Sequence, residues 1–578
     1  MEKAYDLVIR GGQVISGQGE PGVEADVAVR NGLIAAVGKV SGAGAEEIDA
    51  RGLIVTPGFV DIHTHYDGQA TWSDRMQPSS VNGVTTVVMS NCGVGFAPCR
   101  PGDRDGLIRL MEGVEDIPFP VLREGLPWAW ESFPDYLDFL AGRRFDVDIG
   151  AQLPHAALRV FVMGDRGAER EPATEADIGA MAAIARRAME AGALGFSSSR
   201  SLNHKTSDGR DTPTLTAGED ELTGIAMGMA AAGKGVLQFI SDFKDADAEF
   251  GILRRLVEKS GRPLSFSLLQ NPVAPQDYLH LLKLLAQAVD AGLPMRAQVP
   301  GRPVGVLLGL ELTACPFSRH PAFQEIAKLP RAEKLKRLRD PAVRAALLTR
   351  QPPLRGPLMN ALSRWTAMYI QGEEPDYEPS ADQTVAAIAE RRGIDPAELA
   401  YDHMLSDEGR GLFYIPYLNY AEGSLAPSHT MLTDPNTVPG LSDGGAHVGM
   451  ICDGSFPTTN ITHWTRDRTR GPKLSLEWMV QAQCRDTARA VGLFDRGVIA
   501  PGFRADLNVI DYGRLKVKRP QVAFDLPAGG KRLMQGAHGY VATILAGQTT
   551  YRGGEPTDAL PGRLLRGGQA APVAMAAE

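Results

Sequence analysis

The chain reads as an α/β protein: a (β/α)8 TIM-like barrel, a small β-sandwich domain built from both termini, and an inserted lid region. Three observations predict this. Strand runs alternate with helical runs through the centre. Short, glycine-punctuated strands occupy both ends. A strand-like run, Gly58-Phe59-Val60-Asp61-Ile62-His63-Thr64-His65, ends in two histidines one residue apart, and Leu441-Ser442-Asp443-Gly444-Gly445 lies far downstream.

The first of these units covers residues 1–56 together with 495–560. Its strands are Asp6-Leu7-Val8-Ile9-Arg10, Asp26-Val27-Ala28-Val29-Arg30 and Leu33-Ile34-Ala35-Ala36-Val37, with turns at Gly11-Gly12 and Asn31-Gly32. Asn-Gly is a strong hairpin signal because a type I′ turn needs positive φ at both central residues. The same texture returns in Ala505 to Asp511 and Gly539 to Gly547.

Residues 57–494 form the predicted barrel. Val84 to Met89 is a strand. Helices are expected at Glu175–Ala191, Glu219–Ala232, Ala246–Lys259 and Tyr278–Ala291. Each is followed by a strand run: Ala193–Ser198, Gly235–Ile240, Pro263–Leu268 and Met295–Val299. Such alternation implies a parallel sheet with catalytic residues at the strand C-terminal ends. From about 305 to 435 the rhythm gives way to charged, Pro-rich sequence with helices at Phe323–Lys328, Arg331–Leu338 and Pro341–Leu348. An inserted lid or oligomer contact is expected there. Residues 562–578 are Gly/Ala-rich and read as a disordered tail.

Hydrophobic content of 43% and charged content of 22% are ordinary for a globular protein, and 578 residues bury a large core. A net charge of −9 argues against a general nucleic-acid or anionic-membrane binder. The five cysteines form no CxxC pair, which fits a reducing compartment. No signal-peptide h-region and no run of about 18 apolar residues is found. The expectation is a cytoplasmic protein with a small-molecule substrate, no nucleic-acid or membrane partner, and homo-oligomeric assembly.

Residues i and i+2 of a strand share a face. His63 and His65 can therefore hold one metal ion from a single strand end, and Asp443 supplies an acidic partner. Asp443 also suits a turn, since Ser442-Asp443-Gly444-Gly445 is good turn sequence. Imidazole suits Zn2+, and three protein ligands plus water leave an open catalytic position. A water held by such an ion has its pKa lowered towards about 7, and a nearby carboxylate can take its proton.

Several segments together resemble the amidohydrolase superfamily, and within it the D-aminoacylase (N-acyl-D-amino-acid deacylase) group. They are Asp6 to Gly12, Asp49 to Asp67, Gly83 to Gly93 and Gly497 to Leu507. The resemblance covers nearly the whole chain apart from the insert. It implies a metal-bearing barrel in which a cysteine stands where many relatives carry a carboxylated lysine, and Cys92 matches that cysteine. His63 and His65 match the first-strand ligand pair. Asp443 matches the last-strand aspartate that ligates metal and acts as general base. Taken alone, Cys92 could equally be a buried small hydrophobe.

The family pattern also expects histidines after strands five and six. The corresponding runs here, Leu237 to Asp242 and Leu264 to Gln270, carry none. The expected centre is therefore one Zn2+ per chain, on His63, His65, Cys92 and Asp443, with the second position dismantled. Candidate substrate contacts are His155, His447, His204 and Arg302, the last as a bidentate partner for a carboxylate. Solvated-loop readings stand beside His204 and His447. The segment Trp128 to Pro134 could wall an acyl pocket or pack in the core. The expected reaction is hydrolysis of a carboxamide bond, as in an N-acyl (D-)amino acid, with Asp443 moving the proton. Hydrolysis of a cyclic amide or lactone, a lyase or isomerase step, and a catalytically inactive scaffold are the alternatives.

Overall fold

The central strands are buried along most of their length, serines and glutamines included, because both of their faces are covered. In a computed structural model describing residues 4–349 and 364–572, they pair as one eight-stranded parallel sheet. Its strands are β1 (Phe59–Asp61), β2 (Val84–Met89), β3 (Asp148–Pro154), β4 (Gly195–Arg200), β5 (Val236–Ser241), β6 (Leu264–Ser267), β7 (Met295–Val299) and β8 (Thr437–Pro439). Neighbours in the chain are neighbours in the sheet. The sheet curls until its ends meet: Asp443 donates its peptide N–H to the His63 carbonyl at 3.1 Å, and His65 donates to the Gly444 carbonyl at 2.8 Å.

The predicted helices lie within a residue or so of expectation, at Glu175–Ala191, Glu219–Ala232, Ala246–Ser260 and Asp277–Asp290. The first shows why. Thr174 and Asp177 form a reciprocal capping box at its start, and Gly192 at φ 111° ends it.

Both ends of the chain join in a nine-stranded sheet. The junction is the antiparallel pairing of Ile54–Pro57 with Leu507–Ile510, and Leu7, Ile9, Val27, Val55, Leu507 and Ile544 pack in its core. Because only Gly58 separates Pro57 from β1, this sheet fixes the entry of the strand that leads to the two histidines. The Asn31-Gly32 hairpin forms, with φ of 54° and 75°. Gly11-Gly12 does not turn the chain. It is a bulge inside the strand Tyr5–Val14, held because the Asp26 carboxylate accepts the Gly11 N–H at 2.9 Å.

The insert between β7 and β8 contains an antiparallel sheet that the sequence reading missed, made of Val304–Leu308, Leu412–Leu418 and Tyr369–Gln371. Its helices include Pro321–Gln324, Arg331–Leu338 and Pro341–Leu347. The first starts earlier than expected because the His320 side chain accepts the Ala322 N–H beside Pro321. Phe317, Leu338, Met368, Tyr401 and Phe413 give this region a core of its own. Glu378 ties it to the segment after β8. Its carboxylate accepts from Arg468 at 3.0 and 3.1 Å, from His463 at 2.9 Å and from the Leu425 N–H at 2.8 Å.

The expected disordered tail is ordered over residues 562–572; residues 573–578 lie outside the described residues. Gly562 exchanges peptide hydrogen bonds with Phe145, Leu565 donates to the Ile149 carbonyl at 2.7 Å, and Gln569 does the same to Gly492 at 2.9 Å. Leu565 packs with Val60, Ile62, Val88 and Val438. Two leucines in a Gly/Ala-rich run were enough apolar surface to dock it.

Two stability predictions follow from these contacts. Leu565→Ala should destabilise the chain by about 2–5 kcal/mol, seen as a lower thermal midpoint; an unchanged midpoint would mean that the tail is not docked. Burial alone would raise the Glu378 pKa, but the bonds from His463, Arg468 and Leu425 hold it down, to about 2. A depressed carboxylate contributes stability that is present above its unfolded value near 4.5 and lost as pH falls towards about 2. Glu378→Gln should therefore lower stability at neutral pH and flatten its acid dependence over that window.

Candidate metal centre

Four side chains meet at the closure of the barrel. His63 and His65 lie just past the end of β1, Cys92 leaves the loop after β2, and Asp443 leaves the loop after β8. The ligand atoms of His63, His65 and Cys92 lie within 4.8 Å of one another, and all three residues are buried. His63 Nε2 is 3.3 Å from Cys92 Sγ and 3.4 Å from Asp443 Oδ1; His65 Nε2 is 3.5 Å from the same oxygen.

Local backbone geometry aims these groups. Cys92 sits at φ 55°, Leu441 at 59°, Asp443 at 48° and His447 at 48°. Left-handed φ at non-glycine residues costs of order 1–3 kcal/mol each and persists only where the surroundings enforce it. Beside Cys92, a Cβ on Gly93 would lie 2.9 Å from Ser198 Cα and 3.0 Å from Ser199 N. Asn91 locks the same loop: its amide donates to the carbonyls of Thr64 at 3.1 Å and Val88 at 2.9 Å, and its oxygen accepts from Gln152 at 2.8 Å.

His63 is oriented by a hydrogen bond from its far nitrogen, while the far nitrogen of His65 has a carboxylate beside it but no hydrogen bond. His63 Nδ1–H donates to Gln298 Oε1 at 2.7 Å, and Gln298 in turn donates to Ser265 Oγ at 2.9 Å. Nε2 of His63 is thereby left as a lone-pair donor. Burial pushes the His63 pKa down to about 4, so the ring stays neutral. His65 Nδ1 lies 3.2 Å from Glu115 Oε1. Burial pushes the Cys92 thiol up to about 12. For Asp443, burial acts upward, but the adjacent His65 and His63 imidazoles hold it well below the usual carboxylate range.

These residues fit a metal. Asp443 Oδ1 is buried and has no hydrogen-bond partner, although two imidazoles stand beside it. The neutral His63 imidazole, the His65 imidazole (whose pKa burial would lower but Glu115, Asp443 and Cys92 raise), a thiol and a carboxylate form the N/S/O donor set of a borderline-soft cation such as zinc. Among the described residues, this is the one group of three His, Cys, Asp or Glu side chains close enough to hold an ion.

The chain belongs to the amidohydrolase family, whose sequence profile matches residues 46–551. It is 39% identical to a D-aminoacylase of Alcaligenes xylosoxydans xylosoxydans over 194 residues, which span 33% of this chain and 37% of that protein. An uncharacterized protein of Mycobacterium tuberculosis (strain ATCC 25618 / H37Rv) is 26% identical over 589 residues, 95% of this chain and 92% of its own. The fold is that of a D-aminoacylase structure, with a TM-score of 0.65, 23% identity, and 97% of this chain and 100% of that one covered. It is also that of an N-acyl-D-glutamate deacylase from Bordetella bronchiseptica complexed with zinc and a phosphonate inhibitor, with a TM-score of 0.63, 22% identity, and coverage of 97% and 99%.

The remaining candidates separate into two groups. His204 and His447 stand near the centre. His204 Nδ1 bonds Ser199 Oγ at 2.8 Å; burial and then the charges of His447 and His65 push its pKa down to about 4. His447, 28% exposed in its side chain, reaches Glu115 Oε2 at 3.5 Å. His155 and Arg302 are committed to the fold. His155 is fully buried, with Nδ1 on Ser198 at 2.8 Å and Nε2 on Glu221 at 2.9 Å, so no ring nitrogen is left for a substrate. Arg159 binds the same Glu221 oxygen at 2.9 Å. Arg302 is 1% exposed, paired with Asp453 at 2.6 Å and stacked 3.7 Å from the Tyr377 ring centroid. Its charge is already matched. Trp130 likewise packs in the core and donates to the Phe96 carbonyl at 2.8 Å.

Sequence reasoning missed Glu115, Gln298 and Gln238, whose Oε1 accepts the Cys92 N–H at 3.1 Å. The two glutamines had a signal: each interrupts an apolar, doubly covered strand, where an amide needs a specific partner. Glu115 had none, because a glutamate in a helix normally faces solvent.

All five cysteines are free and buried. Burial also raises the thiols of Cys99 and Cys315, to about 12 and about 11. At pH 8 the native, metal-free chain should therefore show almost no fast reaction with a thiol-disulfide reagent, and five thiols after denaturation. Rapid native labelling of one thiol, mapped to Cys92, would show that the centre is open to solvent.

Proposed function

We propose that this chain hydrolyses the carboxamide bond of an N-acyl amino acid of D configuration, using one zinc-class ion per chain. The observation that carries the reading is the convergence of His63, His65 and Cys92 on the unpartnered Oδ1 of Asp443. The names of the relatives support the substrate class: D-aminoacylase, N-acyl-D-aspartate deacylase and N-acyl-D-glutamate deacylase. Of the D-aminoacylase with this fold, a binuclear metal centre with one-metal activation and second-metal attenuation is described, which supports a one-ion reading here.

His63, His65, Cys92 and Asp443 would hold the ion. When bound, such an ion polarises the amide carbonyl and lowers the pKa of water. The chain's own residues do the rest. Gln298 keeps the Nδ1 proton on His63, so that Nε2 is its ligand atom. Cys92 serves as thiolate, giving up a proton that its buried setting otherwise retains. Asp443 stays ionised, and its carboxylate takes a proton from the attacking water and delivers it to the departing amide nitrogen. The products are a carboxylate and a free amino acid. His204 and His447 stand at the same centre and contact the substrate's polar groups.

The test is hydrolysis of N-acetyl-D-amino acids and their L-isomers in water enriched in heavy oxygen. One solvent oxygen should enter the released acetate, with the D-isomers preferred, and chelation should abolish turnover until zinc is returned. Asp443→Asn should lower kcat by about 10²–10⁴-fold while the fold is kept. Turnover without oxygen incorporation would move the assignment to a lyase or isomerase. A zinc-loaded chain inert towards every N-acyl amino acid would remove this substrate class.

A further inference from the structure

Glu115 is the last residue of the helix Arg104–Glu115. A carboxylate there opposes the helix dipole, and this one is also buried, at 1% exposure. Both circumstances are unfavourable, and among the described residues no Lys or Arg pairs with it. What does face it is one histidine on each oxygen. Oε1 lies 3.2 Å from His65 Nδ1, and Oε2 lies 3.5 Å from His447 Nε2. The Glu115 carbonyl also accepts the His447 N–H.

We infer that Glu115 is a positioning residue that holds His65 with its proton on Nδ1 and its Nε2 towards the metal, and holds His447 beside it. The inference rests on the proposed metal reading. Glu115 stands behind His65 as Gln298 stands behind His63, but as a charge at 3.2 Å that meets an otherwise unpartnered Nδ1 rather than through a formed hydrogen bond. A carboxylate behind a ligating imidazole fixes its tautomer and raises its basicity, and removing such a partner typically costs about 10–100-fold in metal affinity. The next residue keeps the carboxylate from drifting. Asp116, at φ 52°, accepts from Thr313 Oγ1 of the insert at 2.8 Å and from the Gly449 N–H at 3.2 Å. One helix end therefore lies against the segment after β1 and is tied to the loop that follows Asp443 and to the insert.

The experiment compares wild type, Glu115→Gln and Glu115→Ala as full-length chains stripped of metal. Zinc affinity is read by competition with a chromophoric chelator, geometry by the visible spectrum of the cobalt(II) form, and folding by the thermal midpoint. Zinc should bind about 10–100-fold more weakly to Glu115→Ala, with a smaller loss for Glu115→Gln, whose amide oxygen can still accept. The cobalt spectrum should change in both. Unchanged zinc affinity and cobalt spectrum, with only the midpoint altered, would overturn the inference and leave Glu115 a structural carboxylate. Imidazole nitrogen shifts of labelled histidine in the metal-free wild type, with His65 assigned by His65→Asn, separate the two failures. A chain that binds no zinc but shows an Nδ1-protonated His65 that Glu115→Ala alters would sink the metal reading and keep the positioning role. A His65 insensitive to Glu115→Ala would sink the positioning role itself.

Discussion

Asp443 donates its peptide N–H to the carbonyl of His63, and His65 donates its own to the carbonyl of Gly444. These two bonds close the eight-stranded sheet and in the same act bring the first and last strands' polar residues together. Residues almost 380 positions apart in the sequence thus become neighbours by backbone geometry, before any side chain interacts. The nine-stranded sheet of the two termini reinforces the arrangement from below, since Ile54–Pro57 is gripped by Leu507–Ile510 immediately before β1 begins.

Burial then sets the chemistry. Desolvation keeps His63 neutral and Cys92 protonated, while the two imidazoles keep Asp443 ionised. The consequence is a pocket with lone pairs, a thiol and an unpartnered carboxylate oxygen, which is unfavourable until a cation arrives. Neither β5 nor β6 offers a histidine to a second ion. Their inward polar groups are an amide and hydroxyls, with Gln238 bonded to the Cys92 backbone and Ser265 to Gln298.

How much of this was legible beforehand depended on whether the physics was local. Helix limits such as Glu175–Ala191 were, because the cap at Thr174 and the glycine at 192 are written into adjacent residues. The His63/His65 pair was, although the regular strand ends at Asp61 and the pair sits just beyond it rather than on a strand face. Asp443 was read as the acidic partner of the histidine pair and Cys92 through resemblance, and their left-handed backbones, which aim them, are not readable from residue type. Gly11-Gly12 misled because a bulge and a turn share the same preference for positive φ, and only the distant Asp26 decides between them. Arg302 misled in another way: nothing near it in sequence announces Asp453 and Tyr377, which take up its charge and its face. Glu115 was invisible because its partners lie on two other loops.

The central claim is that one cation, and only one, binds where these four side chains meet. Elemental analysis of zinc per chain, on wild type and on Cys92→Ala, tests it most directly. The account predicts about one zinc per wild-type chain and clearly less in Cys92→Ala, in line with one Cys-His-His-carboxylate site. Two tightly held ions, or none under zinc-replete conditions, would contradict it.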